Sequence, residues 1–162
     1  MAFAESDSFY TQIQEVLEQK DYAQAVQFYT QQINLEPKNP KLYYNLGLMY
    51  HFLSDDFSAI KSYQKALELL PNFLDASYNL GLVFLKQKEW KQAIQIFQNY
   101  LQEDKVNPEV YFMLGIAFQE NNQPELAFDM FQKSLMLNPH DEKSQQKLKE
   151  LNEIYIQNKL MV

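Results

Sequence analysis

The feature that most constrains this chain is a Leu-Gly pair that returns at a fixed interval. The pairs are Leu46-Gly47, Leu80-Gly81 and Leu114-Gly115, each 34 residues after the one before, and they contain all three glycines of the chain. A fixed period of this length indicates an array of similar structural units. Such units bury their apolar faces against their neighbours rather than in one central core.

The residues around each pair follow the same period. The second copy continues with Tyr50, Ala59, Tyr63, Ala66 and Pro71, the third with Phe84, Ala93, Phe97 and Tyr100, and the fourth with Phe118, Ala127, Phe131, Ser134 and Pro139; a weaker first copy holds Tyr22, Ala25, Tyr29 and Pro37. This pattern resembles the tetratricopeptide repeat family, whose motif runs W-x2-L-G-x2-Y, A-x3-F and P. The resemblance implies an all-α fold, a right-handed superhelical solenoid of antiparallel helix pairs.

The residues predict helix pairs without the family name. Tyr43, Leu46, Gly47 and Tyr50 are spaced i, i+3, i+4, i+7, which places them on one stripe of a helix. The small residues allow two helices to approach closely, and a proline then prevents the second helix from continuing. Helices are predicted near residues 6–19, 22–35, 40–53, 56–69, 74–87, 90–103, 108–121 and 124–137.

These helices predict one domain over residues 1–162, with repeats at about 6–39, 40–73, 74–107 and 108–141. The period stops after Pro139, but residues 141–159 remain helical in pattern, with Leu148, Leu151 and Tyr155 on one stripe. Stacked arrays need a solvated end, so this segment is predicted to be a capping helix.

Composition excludes several classes of function. The chain has no cysteine, which rules out a disulfide framework and a thiolate zinc site. The net charge is −7, whereas binding to nucleic acid requires a basic face. The sequence shows no secretory signal and no apolar run long enough to span a membrane. We therefore expect a cytoplasmic protein without direct membrane insertion, and the Gln-rich, cysteine-free array is typical of bacterial proteins.

Residues for catalysis are not assembled in the sequence. His51 lies near Asp55 and Asp56, but no serine nucleophile accompanies them, and His140 follows Pro139 in a turn. All three glycines lie within predicted helices, so a phosphate-binding loop is not expected. No metal-ligand spacing is present. The sequence predicts a protein that is not an enzyme and that has no cofactor.

The predicted binding surface lies beside the packing stripe. One step past the packing residue, each first helix carries an aromatic side chain, and further turns on the same face add aliphatic and polar ones. In the family this face lines a concave groove that holds peptides, and asparagines on it contact a peptide backbone. The groove residues, as we call this set, are Tyr10, Tyr44, Asn45, Leu48, His51, Tyr78, Asn79, Leu82, Phe112, Met113 and Ile116. The alternative is that the aromatic members pack against the neighbouring repeat.

One subclass of the family grips acidic C-terminal tails with a clamp of lysines, arginines and asparagines. The corresponding positions of this chain hold Tyr44, Leu48, Asn79, Glu109 and Met113, or Tyr10, Gln14, Asn45, Asp75 and Asn79 one repeat earlier. Every cation is missing, and Asp75 and Glu109 would repel a carboxylate. We therefore expect that this chain does not bind chaperone tails by that clamp.

Three hypotheses of function follow. The first is an interaction module that binds a peptide or helix of another protein in the groove, as a scaffold or assembly factor. The second is a chaperone of a secreted or membrane-inserted client, because small tetratricopeptide chaperones of type III secretion have similar length and acidity. The third is a self-assembling scaffold, a homo-oligomer in which Leu160-Met161-Val162 of one copy fills the groove of another.

Overall fold

The computed structural model describes residues 13–160, with the surroundings of the side chains up to residue 154. In this part of the chain every regular element is a helix: α1 (helical over 13–18), α2 (Tyr22–Leu35), α3 (Pro40–Phe52), α4 (Asp56–Leu69), α5 (Leu74–Lys86), α6 (Trp90–Glu103), α7 (Pro108–Glu120), α8 (Pro124–Leu137) and α9 (Glu142–Leu160). The fold is all-α, as predicted, and from α2 onward each helix begins and ends within one residue of its predicted bounds. The start of the first predicted helix lies outside the described residues.

The glycine of each Leu-Gly pair lies under an aromatic ring of the partner helix. A Cβ atom placed on Gly47 would lie 2.6 Å from ring carbons of Tyr63, and one placed on Gly81 would lie 2.5 Å from those of Phe97. Gly115 meets Phe131 in the same way, at 2.6 Å. All three rings are fully buried. Glycine is therefore required because the ring of the second helix occupies the space that a side chain would need.

The turn inside each hairpin contains a residue in the left-handed conformation. Lys20, Ser54, Lys88 and Asn122 have φ values of 56°, 60°, 60° and 58°, and they too are spaced by 34 residues. In the second repeat the Ser54 N–H donates to the His51 carbonyl (3.0 Å) and the Asp55 N–H to the Tyr50 carbonyl (2.9 Å). These bonds satisfy carbonyl groups at the end of the first helix and reverse the chain.

Polar side chains begin most of the helices. Asp21 and Asp55 accept hydrogen bonds from the backbone N–H groups of Gln24 (3.0 Å) and Ser58 (3.1 Å). Asn39 and Asn107 cap α3 and α7, each directly before a proline in the first turn. Proline suits this position because its missing N–H would have no partner within the helix. Asp141 similarly accepts from the Ser144 N–H (3.0 Å) at the start of α9.

The helices fall into two compact units, one ending at Ala76 and the other beginning at Ser77. In the first unit, α2 packs against α3 and α3 against α4; in the second, α6 packs against α7, α7 against α8 and α8 against α9. The core of the first unit includes Ala25, Leu42, Met49 and Tyr63, and that of the second includes Leu80, Phe97, Val110, Leu114 and Phe131. Phe84 and Phe118, which occupy the position of Tyr50 in the third and fourth repeats, are buried as well.

Two aromatics of the packing stripe are less buried than the sequence pattern suggested. Tyr43 and Tyr50 are only half-buried. The hydroxyl of Tyr43 donates a hydrogen bond to the Pro37 carbonyl (3.0 Å), which keeps this end of the ring at the protein surface. Tyr50 packs on the edge of the core of the first unit. Both positions therefore shield the core rather than form its centre.

A small polar network attaches α9 to the last repeat. The Ser134 hydroxyl donates to the Pro108 carbonyl (2.8 Å), and the Ser144 hydroxyl contacts that of Ser134 (3.1 Å). Ser134 and Ser144 are buried, and so is Leu151 further along α9. Because buried hydroxyl groups need partners, these contacts fix the start of α9 against α7 and α8.

Candidate functional site

The groove residues within the described part of the chain share an intermediate degree of burial. None is buried in the core and none is freely exposed, whereas the Leu-Gly pairs beside them are buried. The residues are Tyr44, Asn45, Leu48 and His51 in the first unit and Tyr78, Asn79, Leu82, Phe112, Met113 and Ile116 in the second. Tyr10 lies outside the described residues. Half-buried side chains have one face held by the protein and another open to contacts.

In the first unit Tyr44 rests on two other aromatic rings. Its ring centroid lies 6.0 Å from that of Tyr63 and 5.0 Å from that of Phe73, with interplanar angles of 42° and 46°. Tilted aromatic pairs at these distances stabilise one another beyond simple burial. The Tyr44 ring is therefore positioned from below by α4 and from the side by the turn before α5.

The second unit repeats this arrangement twice. The ring of Tyr78 lies 6.4 Å from that of Phe97, and the ring of Phe112 lies 5.5 Å from that of Phe131. In each repeat the same buried aromatic therefore fills the space above a glycine and supports the half-buried aromatic of the groove set. The aromatic members of that set are held by their own repeat's second helix.

Two tyrosines of this region, the buried Tyr63 and the half-buried Tyr78, have raised pKa values. Burial raises the pKa of Tyr78, and the hydrogen bond to the Glu109 carboxylate raises it further. Burial also raises the pKa of Tyr63, with a smaller effect from Tyr44. The Tyr63 hydroxyl is buried but has no hydrogen-bond partner among the described residues. Tyr63 and Tyr78 therefore both stay protonated at pH values where an exposed tyrosine ionises.

Two further buried polar atoms lack a partner among the described residues. They are Nδ1 of His51 on α3 and Oε1 of Gln119 on α7. The two residues are 68 positions apart, which is twice the repeat length, so they occupy the same register in their repeats. The His51 ring also packs edge-on against Phe52, at 6.1 Å between centroids. A buried polar atom without a partner costs free energy, so a side-chain rotation that brought either atom to a hydrogen-bond partner would be favourable.

A pocket of about 280 Å³ opens beside Phe112 in the second unit. Its apolar wall is formed by Phe112 and Met113, and its other lining residues are Pro108, Glu109, Ser134, Asn138, Asp141 and Lys143. The pocket thus combines an aromatic wall with an amide, two carboxylates and one ammonium group. Such a mixture suits a side chain that is partly apolar and carries a polar end.

Sequence reasoning missed several residues of this surface. One is Phe73, which supports Tyr44. It occupies the position that the capping residues Asn39 and Asn107 hold in other repeats, so an alignment of the repeats would have shown an aromatic residue in place of the cap. The sequence indicated Glu109 only as a charge that repels carboxylates and not as the hydrogen-bond partner of Tyr78. Asn138 and Asp141 lie at the end of the last repeat and Lys143 lies just after it, and the period does not indicate that they contribute to a pocket.

The described residues hold neither a membrane-spanning helix nor a metal-binding cluster. No helix between residues 13 and 160 combines the length and apolarity needed to cross a bilayer. Over the same stretch, no three histidine, aspartate or glutamate side chains are grouped closely enough to hold a metal ion.

Comparisons with known proteins place this geometry in a family. Models of the tetratricopeptide repeat match residues 14–53 and 58–88, 75–104, and 108–141. A search of curated proteins by sequence gives no significant match.

Solved structures of similar fold include two of the protein MamA. A MamA RS-1 double mutant (ArsTM) is 28% identical to this chain. The matched region covers 92% of this chain and 84% of the MamA chain, and the TM-score is 0.86. MamA 41-end from Desulfovibrio magneticus RS-1 is 26% identical, with coverages of 95% and 87% and a TM-score of 0.86.

The tetratricopeptide domain of Arabidopsis OM64 shares the fold at 22% identity, with coverages of 70% and 94% and a TM-score of 0.66. The repeat models together reach from residue 14 to residue 141, which includes every hairpin described above. The chain therefore belongs to the tetratricopeptide repeat family of protein–protein interaction scaffolds.

Proposed function

We propose that this chain binds a peptide or helical segment of a partner protein on its groove residues. The observation that carries the proposal is the repeated aromatic pair: Tyr44 on Tyr63, Tyr78 on Phe97 and Phe112 on Phe131. Each pair presents a half-buried ring on a rigid support. Aromatic side chains held in this way lose little conformational freedom on binding and are enriched among the residues that dominate interface energy.

The proposed recognition divides between apolar anchors and polar groups. The rings bind apolar side chains of the partner, while amides such as Asn45 both donate to and accept from its backbone. The pocket at Phe112 takes a side chain of the partner whose end bonds to the Asn138 amide or to the charged groups beside it.

The same surface also serves the two alternative functions. A client-specific chaperone would use it to cover an apolar segment until the client is secreted or inserted. A self-assembling scaffold would use it for a second copy of this chain; the segment in question, Leu160-Met161-Val162, includes residues outside the described part. Molar mass from light scattering separates self-assembly from the other two, and protection of a client from aggregation would favour the chaperone.

The proposal is tested by capture of partner proteins with the intact chain and with Tyr44→Ala/Tyr78→Ala. We expect the double variant to lose the captured partner while its helix content by circular dichroism is unchanged. The matched control is Phe57→Ala/Val106→Ala, which removes two apolar side chains that are 69% and 71% exposed and outside the groove set. Equal capture by all three proteins would exclude the proposed surface, and loss of helix in the first variant would show that these tyrosines are core residues.

A further inference from the structure

A second pocket lies between α8 and α9, away from the groove residues. It has a volume of about 370 Å³ and shares no lining residue with the pocket at Phe112. Its apolar surface comes from Phe128 on α8 and from Leu151 and Ile154 on α9. Glu125 and Asp129, both exposed, bring carboxylates to the same opening. We call this the end pocket.

None of the side chains described up to residue 154 covers the apolar lining of the end pocket. Leu151 is buried at 8% exposure, but Ile154, one helical turn further along α9, is 52% exposed. Phe128 is half-buried on the opposite wall. An exposed isoleucine beside a half-buried aromatic ring leaves apolar surface in contact with water, where a partner side chain would gain free energy by covering it.

The charges at the opening define the chemistry of that partner. Glu125 and Asp129 are four residues apart on α8, one helical turn, and neither forms an ion pair within the described part of the chain. The Phe128 ring lies between them in sequence and can accept a cation on its face. Lys133, the next lysine on α8, is instead placed over the Tyr111 ring. Two carboxylates and an aromatic ring together suit a lysine or arginine side chain.

We propose that the end pocket binds an amphipathic helical segment of a partner protein that presents an apolar side chain next to a lysine or arginine. The apolar side chain packs on Leu151 and Ile154. The cationic group lies over Phe128 and forms ion pairs with Glu125 and Asp129. This contact is independent of the groove residues, so one chain holds two partner segments at separate places.

The test uses defined peptides with the full-length chain. One is a fluorescein-labelled amphipathic helix of leucine and lysine, and the other is the same helix with every lysine replaced by glutamate. We expect only the lysine peptide to bind, and Glu125→Lys/Asp129→Lys to weaken it by about tenfold or more, the effect of losing roughly 1.4 kcal/mol. Ile154→Asn should also weaken the lysine peptide, because it removes apolar contact without changing the charge, and it should not unfold the chain because this side chain is already half exposed.

A matched variant separates the pocket from the overall acidity of the protein. Glu103→Lys/Glu120→Lys changes the net charge by the same amount at exposed positions outside the pocket, and it should leave binding nearly unchanged. Equal weakening by both double variants, or equal binding of the two peptides, would overturn the proposal. Tyr44→Ala/Tyr78→Ala should bind the lysine peptide normally, so failure of the groove proposal and failure of this one give different results.

Discussion

The Tyr78 hydroxyl on α5 is hydrogen-bonded to the Glu109 carboxylate at the start of α7. The bond links the first helices of two successive repeats within one unit. It also holds the phenol ring in place above Phe97, at 6.4 Å between centroids. The Tyr78 ring is therefore preorganised, because the ring beneath it and the acceptor beside it already hold it in one position. Preorganisation lowers the entropy cost of binding a partner.

Two tyrosine-to-phenylalanine changes should alter stability in opposite directions. Tyr78→Phe removes the hydrogen bond to Glu109 and should lower the free energy of unfolding by about 1 kcal/mol. Tyr63→Phe removes a buried hydroxyl that has no partner among the described residues, and it should raise the free energy of unfolding by a similar amount, about 1 kcal/mol. Phe97 and Phe131 already occupy the corresponding positions in the later repeats. Urea unfolding of the two variants measures both effects.

Alkaline pH gives an independent check on these two tyrosines. Their pKa values are raised in the folded state, so the free energy of unfolding does not change below the ordinary tyrosine pKa and falls as the pH rises from there toward the folded-state pKa. Each phenylalanine variant should therefore lose less stability on alkaline titration than the intact chain. If either variant lost stability more steeply with rising pH than the intact chain, the burial described for that tyrosine would be contradicted.

Gly81→Ala should destabilise the protein although alanine is the better helix former. The new Cβ would lie 2.5 Å from ring carbons of the fully buried Phe97. Overpacking of this kind costs about 1–3 kcal/mol, against a gain of roughly 1 kcal/mol in helix propensity. We expect a net loss of about 1 kcal/mol by thermal or urea unfolding.

A double-mutant cycle tests whether the Phe97 ring causes the loss of stability in Gly81→Ala. In a Phe97→Ala background the obstacle is gone, so Gly81→Ala should become neutral or stabilising. If the glycine change costs the same in both backgrounds, the close approach of the two helices does not explain this residue.

Lys88→Gly should stabilise the third hairpin. Lys88 has φ of 60°, and a left-handed conformation costs a residue with a β-carbon roughly 1 kcal/mol, whereas glycine adopts it readily. The expected gain in the free energy of unfolding is about 0.5–1 kcal/mol. Asn122→Gly at the same place in the fourth hairpin is the matched control and should gain less, because asparagine tolerates this conformation. A loss of stability in Lys88→Gly would argue against the described turn.

The cap of α4 should make stability depend on acidic pH. Hydrogen bonds from the Ser58 side chain and backbone lower the pKa of Asp55 below its usual value. The stability that this carboxylate contributes is therefore present above the unfolded-state pKa and is lost as the pH falls through the folded-state pKa. Asp55→Ala should lower stability at neutral pH and have little effect in strong acid, as followed by circular dichroism.

Glu89 provides the control for that experiment. It occupies the corresponding position before α6 but makes no side-chain cap hydrogen bond. Glu89→Ala should therefore change stability less than Asp55→Ala, while Glu89→Asp should add about 0.5–1 kcal/mol by supplying the missing cap. An equal response to the two alanine changes would refute the capping assignment.

The helices could be predicted closely from the sequence because their limits are set by local chemistry. The 34-residue period, the proline positions and the short polar links mark where each helix begins and ends, and the structure agrees from Tyr22 onward. The left-handed turns could not be predicted in the same way. Lys20 and Lys88 are poor residues for that conformation, and only the geometry of the hairpin imposes it.

The candidate site was predicted in part. The register of the groove residues follows from helical spacing, and all the described members are half-buried. The bond from Tyr78 to Glu109 and the contact of Tyr44 with Phe73 join residues about 30 positions apart, so they depend on how helices pack. A single sequence contains the residues for such contacts but not the distances between them.

Photo-crosslinking tests the binding surface most directly. A benzoylphenylalanine placed at Tyr44, Tyr78 or Phe112, one at a time, should crosslink to the same partner protein, and the cross-linked peptides should map to one contiguous segment of it. The same probe at Phe57 or Met136, which are 69% and 78% exposed, should give no such product. Crosslinking from Phe57 and Met136 but not from the three groove positions would contradict the account.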